Sequence, residues 1–303
     1  MTTSYRVRKN WDRSGRRLGR GMIVGPAILL AALIFGPLVY SIVLSLYKWQ
    51  ITDINNGKPF VGLANYVQLF TDPQVLTAVE NTLIYVVGCV GIELVLGFII
   101  ASALFEMTKG RKLANSLILL PMIIAPVITA LIWRYMLDPQ FGLVAQILTL
   151  FGIKGGIPFF GSSSLALPSL MIVDIWQWTP FVVLILHAGM LGISEEQFEA
   201  ARIDGAGRWR ILRSIVIPGI APQILLVLLF RTMDTYRIFD TVFVLTRGGP
   251  GTSSLTIGLY TYQTGFSFFN LGYAMTLGVF ILVTVAIISS FYLRLLRRRA
   301  VFQ

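Results

Sequence analysis

The sequence predicts an all-α integral membrane protein on three observations. Of its 303 residues, 55% are hydrophobic and 13% charged, with a mean hydropathy of +0.75, whereas a soluble domain is about a quarter charged. Six apolar runs stand out, at about 22–47, 82–105, 115–137, 166–192, 215–232 and 271–293. Each is near or above the ~20 residues that cross a bilayer core. Lys and Arg are also distributed unevenly between the runs, as in a chain oriented by its charge.

Taken in order, residues 1–21 read as a basic cytosolic tail close to anionic lipid. The first run follows it without an A-x-A-like cleavage site, which predicts a retained signal anchor. Residues 48–81 predict an external segment with a short amphipathic helix around Asn65–Phe70. The second run carries Glu93 and Cys89; a single cysteine excludes an internal disulfide and a Cys-cluster metal site. The third holds Pro121 and Pro126, with Arg134 near its external end, and a glycine-bearing loop is expected over 138–165. The fourth carries Asp174, Gln177, Pro180 and a lone His187, read as a packing residue. The fifth is the shortest, and its helix is expected to continue to about 240, for a span over 215–240. Gly-Gly-Pro-Gly within residues 245–256 forbids regular structure there. The sixth run leads to a cytosolic end, 298–303. Proline breaks survive in lipid only where neighbours or water satisfy the freed backbone groups, so this many of them points to a bundle that holds a cavity. No internal repeat is visible.

The N-terminal tail, the 2–3 loop, the 4–5 loop and the C-terminus together hold 18 of the 25 basic residues. With an even number of spans both termini share one side, and the positive-inside rule makes that side the cytosol. The net charge of +11 is therefore topology, not a nucleic-acid footprint.

Ionisable groups within a membrane are expensive and tend to face partners or water. Arg231, Asp234, Arg237 and Asp240 alternate in sign every three residues, which on a helix forms one slanted row. That row reads either as a self-neutralising ladder or, with Tyr236, as one wall of a hydrated path. Asp174, Gln177 and Trp178 complete the candidate path.

Between the fourth and fifth runs lies EAARIDGAGRWRILRSIVIP, residues 199–218. Ser194-Glu195-Glu196-Gln197 has capping-box spacing, so a helix should start there. Phe198, Ala201 and Arg202 share one face, with Glu199 beside it. Gly205 allows a sharp turn, and Arg208 to Arg213 lead back to Pro218. The result is either an interfacial amphipathic helix or a knob for a cleft on a cytosolic partner.

Glu199-Ala200-Ala201, then Gly205, then Ile215-x-Ile217-Pro218 resembles the EAA loop of binding-protein-dependent ABC importer permeases. That family has Glu-Ala-Ala, three residues, Gly, nine residues and Ile-x-Leu-Pro; only Ile217 departs. The string from Glu199 to Ala206 looks like the carbohydrate subgroup, as do Phe60 to Tyr66 and Leu245 to Pro250. The likeness runs from about residue 22 to 297 and is closest to the first permease subunit of maltose-, glycerol-phosphate- and trehalose-type importers.

The resemblance implies the type I ABC importer permease fold in the bacterial inner membrane, with a coupling loop at 193–214. It implies that Glu199, Ala200, Ala201, Asp204 and Gly205 dock into a cytosolic ATPase dimer that binds ATP-Mg. A second permease subunit would complete the path, and an extracytoplasmic binding protein would deliver a sugar, with a disaccharide such as trehalose or maltose expected. The chain itself would hold no metal or cofactor and catalyse nothing. Trp176, Trp178 and Tyr262 could then stack on sugar faces or serve as interfacial anchors. The alternatives are a self-contained secondary transporter or channel, and a membrane enzyme. The sequence has no P-loop, which fits the importer and the secondary transporter equally. A secondary transporter would often show related halves. Against an enzyme, there is no H-E-x-x-H or G-x-S-x-G motif, and a single histidine leaves little acid–base apparatus.

Overall fold

The computed structural model describes residues 13–53, 57–152 and 155–300. The first twelve residues of the expected basic tail and the last three of the C-terminal end lie outside them. Among the described residues the named elements are all helices, joined by turns and two isolated β-bridges, Tyr47 with Phe60 and Gln50 with Asn270. Helix α1 (Arg13–Leu44) is followed by the short α2 (Ala64–Thr71) and the long α3 (Pro73–Glu106). Then come α4 (Arg111–Ile123), α5 (Pro126–Met136), α6 (Leu143–Leu150) and α7 (Ala166–Leu191). The chain continues through α8 (Glu195–Ile203), α9 (Arg208–Ile211), α10 (Ile217–Gly219), α11 (Ala221–Tyr236), α12 (Asp240–Leu245), α13 (Ile257–Tyr262) and α14 (Leu271–Ala300).

Among the described residues, four helices are long and apolar enough to cross a membrane unbroken: Met22–Leu44, Pro73–Glu106, Ala166–Leu191 and Leu271–Arg297. The third and fifth expected spans are instead bent pairs. Arg111–Ile123 meets Pro126–Met136 at 94°, and Arg208–Gly219 meets Ala221–Leu245 at 63°. Proline causes the first bend. Ala125 precedes Pro126 and is extended, with φ −60 and ψ 138, as a pre-proline residue prefers. The break strips the Ile124 carbonyl of a helical partner, and the buried Gln177 side chain donates to it at 2.9 Å. The second bend falls at Ile220 (φ −99, ψ 11), between Pro218 and Pro222.

α3 packs along α7, and α11 lies against both α3 and α14. A Cβ on Gly97 would sit 2.5 Å from a Val182 methyl, so α3 and α7 approach closely through a small residue. Asp72 caps α3 by accepting from the Gln74 N–H at 2.9 Å, with Pro73 at the first helical position. Its other oxygen accepts from the hydroxyls of Tyr260 at 2.7 Å and Tyr273 at 3.0 Å. Burial and this carboxylate push the Tyr260 hydroxyl up from its ordinary range.

Two apolar cores form. One gathers Tyr85, Val90, Leu170, Val173, Tyr236, Ile257 and Leu277; the other gathers Ala101, Leu104, Val182, Leu186, Ile220 and Val227. The amphipathic helix expected around Asn65–Phe70 is present as α2, with Asn65 and Leu69 buried. One difference is α6, which forms inside the expected loop over 138–165. Its eight residues, LVAQILTL, bury only Ala145. The flanking glycines mark its ends and do not interrupt it.

Candidate functional site

The connection between α7 and α11 is a helical arm. α8 begins where the capping spacing places it, with Ser194 extended at its N-cap (φ −68, ψ 140). The Ser194 side chain makes no cap bond, however; the turn is closed by the Gln197 N–H donating to the Ser194 carbonyl at 3.2 Å. Glu195 and Glu196 in the first turn suit the positive end of the helix dipole. Phe198 rests on Phe105 of α3 at 5.7 Å between ring centroids. The chain then reverses at Gly205, whose φ of +71 favours glycine. The Ala206 N–H closes the reversal onto the Ala201 carbonyl at 2.9 Å.

From Arg208 the chain stays helical through a π-helical stretch, Leu212–Val216, to Gly219, where the 63° bend begins. Glu199, Ala200, Asp204 and Gly205 are exposed, and Ala201 is half-buried. Ile203 and Trp209 project beside them, 86% and 72% exposed. Beside the contact of Phe198 with Phe105, a cavity of about 710 Å³ is lined from both the arm and the end of α3 by residues including Phe105, Glu106, Phe198, Arg202 and Arg208.

The residues expected to line a path divide into two groups. Arg231 is 2% exposed and donates to Glu93 through Nε and Nη2, both at 2.7 Å. It also donates to Asp174 Oδ2 at 2.6 Å and to Asp234 Oδ2 at 3.1 Å. Its guanidinium carbon lies 5.0 Å from the Trp178 ring centroid, within cation–π range. Asp174 is therefore committed to an ion cluster, Gln177 to the bend at Ile124, and Tyr236, 2% exposed, to the apolar core. These three do not face the cavity in this conformation.

The other four do. Trp178, Asp234, Arg237 and Asp240 line a cavity of about 340 Å³ with Pro126 and Thr241. The single row expected from Arg231 to Asp240 is interrupted because α11 ends at Tyr236. Arg237 is its C-cap, and Asp240 opens α12. Up to Arg237 the row does pair, since Arg237 Nη2 stands 3.6 Å from Asp234 Oδ1. Trp176 packs edge-on against Trp133, and Tyr262 sits among Phe239, Phe243 and Phe266. Glu93 stood out in the sequence as an ionisable residue within an apolar run. Its bond to Arg231 crosses 138 residues of chain, and no local spacing signals it.

Two bent spans beside a polar cavity, with an exposed helical arm joining an unbroken span to one of them, describe a membrane-embedded transport subunit. Residues 93–301 match the family of binding-protein-dependent transport system inner membrane components, and the chain belongs to that family. It is 34% identical over 285 residues to the trehalose transport system permease protein SugA of Mycobacterium tuberculosis, covering 92% of this chain and 89% of the relative. It is 32% identical over 274 residues to the trehalose/maltose transport system permease protein MalF of Thermococcus litoralis, covering 90% of each. The fold is similar to that of a chain of a bacterial ABC transporter that imports alginate. The TM-score is 0.77 at 24% identity, over 95% of this chain and 99% of the other.

Proposed function

We propose that this chain is the membrane-spanning subunit of an ATP-driven sugar importer of the bacterial inner membrane, with both termini in the cytosol. It forms half of the translocation path, and a second permease subunit forms the rest. The arm over 193–214 docks through Glu199, Ala200, Ala201, Asp204 and Gly205 into a groove of an ATPase dimer, which binds ATP-Mg. An extracytoplasmic binding protein delivers the sugar, a disaccharide such as trehalose or maltose; the names of the relatives from Mycobacterium tuberculosis and Thermococcus litoralis support that class.

One observation carries the reading. The arm exposes Glu199, Ala200 and Gly205 while running without a helical break from Arg208 to Gly219. A helix transmits a displacement that a flexible loop would absorb. When the ATPase closes, the arm moves and α11 tilts with it, turning the cavity from one side of the membrane to the other. Trp178 offers a face for a pyranose ring, and Asp234 and Asp240 accept its hydroxyls.

The test is uptake into proteoliposomes that hold the co-purified complex. Uptake should require ATP on the arm side and binding protein on the other. Uphill sugar uptake by the purified chain without an ATPase would overturn the reading.

A further inference from the structure

Glu93, Asp174 and Arg231 sit deep in the bundle. At ~1.5 Å of rise per residue, Glu93 is roughly 30 Å from the start of α3 and roughly 20 Å from its end. Each buried ion costs several kcal/mol of desolvation, and an apolar trio of similar volume is often at least as stable. Stability alone therefore does not account for the cluster.

Its position is specific. On α3 the first apolar core extends to Val90 and the second begins at Ala101; on α7 the corresponding residues are Val173 and Val182. The ions form a polar seam between the cores. The seam reaches the 340 Å³ cavity through two side chains that Arg231 touches from behind, Asp234 and Trp178. The Asp234 side chain is 48% exposed, and Arg231 holds its Oδ2, which leaves Oδ1 toward Arg237. Arg237 is itself 58% exposed, and an exposed pair of that kind fixes little. Arg231 is thus the group that orients Asp234.

We propose that Glu93, Asp174 and Arg231 are positioning residues for the sugar path: the buried carboxylates fix the guanidinium, which sets the Asp234 carboxylate and backs the Trp178 ring where both meet a neutral sugar. The proposal rests on the reading of this cavity as part of the path.

The test replaces all three charges at once, Glu93→Met with Asp174→Leu and Arg231→Met, so that none is left unpaired. The complex should assemble with its thermal stability kept. The sugar concentration for half-maximal uptake should rise about tenfold or more, the scale of a lost hydrogen bond to a charged group, with a smaller change in maximal rate. Adding Asp234→Asn should then do little more, since Asp234 has already lost its anchor. An unchanged half-saturation, or an Asp234→Asn effect as large as in the unsubstituted complex, overturns the proposal.

If the triple variant does not assemble, Arg231→Lys keeps the charge and loses the planar fork. Its effect and that of Asp234→Asn should combine to less than their product, and independent effects overturn the proposal. Absence of sugar uptake by the unsubstituted complex defeats the path reading and this proposal together. Normal uptake that the triple substitution leaves untouched defeats the proposal alone.

Discussion

Replacing Gly97 with alanine adds one methyl where α3 and α7 touch. The new Cβ would lie 2.5 Å from Val182 Cγ1 and 2.7 Å from Val182 Cβ, against ~3.5–4.0 Å for ordinary carbon contact. Rotating the valine relieves only the first overlap, because its Cβ is fixed to the backbone. The helices must part by about an ångström, and such overpacking costs about 1–3 kcal/mol. Gly91, on the same helix, has nothing within 4 Å of a new Cβ, and alanine there gains about 1 kcal/mol of helix propensity. Because both changes carry that gain, the difference between the two variants isolates the contact. The assay is the thermal unfolding midpoint in mild detergent for both proteins. Gly97→Ala should unfold earlier than Gly91→Ala, and the loss that Gly97→Ala causes should be smaller when it is introduced into a Val182→Gly protein than into the unsubstituted one. Equal midpoints would refute the close approach of α3 and α7.

Two further outcomes test other parts of the fold. Thr82→Val keeps the shape but removes a fully buried oxygen that accepts from the Ile257 N–H at 3.0 Å. The orphaned amide should cost about 1–3 kcal/mol, read as a lower unfolding midpoint and faster hydrogen exchange at Ile257. Asp138, outside the spans, accepts from the backbone N–H groups of Phe141 and Gln140 at 2.9 Å each, and these bonds hold its carboxyl below the ordinary range. Its support for the turn is therefore complete above the usual carboxylate value of about 3.9 and fades as pH falls through the lower folded value. Protection of the Gln140 and Phe141 amides, taken relative to their intrinsic exchange rates, should fall in that acidic window, and Asp138→Asn should remove that fall.

The spans were legible because lipid imposes a length and a composition that few other environments require. The bend at Pro126 was foreshadowed by its proline; the group that satisfies it, Gln177, was not, because the partner carbonyl lies 53 residues away. The alternation from Arg231 to Arg237 followed helical spacing and appears as i, i+3 pairs. It failed at Asp240 because the helix ends first, and a spacing rule does not see where a helix stops. The arm was legible in order (helix, turn at a glycine, return), since each step rests on local chemistry. The cap at Ser194 was half right: the helix starts there, but a backbone bond closes it. The ion cluster stayed hidden because Glu93, Asp174 and Arg231 meet only through tertiary packing.

The proposed coupling is conversion of a neighbouring ATPase's closure, by the arm over 193–214 and the helix that continues it to Gly219, into reorientation of the bundle. It is tested most directly by sugar imported per ATP hydrolysed, measured in proteoliposomes carrying Glu199→Ala or Gly205→Val. A valine at a φ of +71 is strained by about 1–2 kcal/mol, which should distort the exposed turn. With assembly intact, hydrolysis should continue in both variants while import per ATP collapses. Import per ATP equal to that of the unsubstituted complex in both would show that the arm does not couple hydrolysis to import.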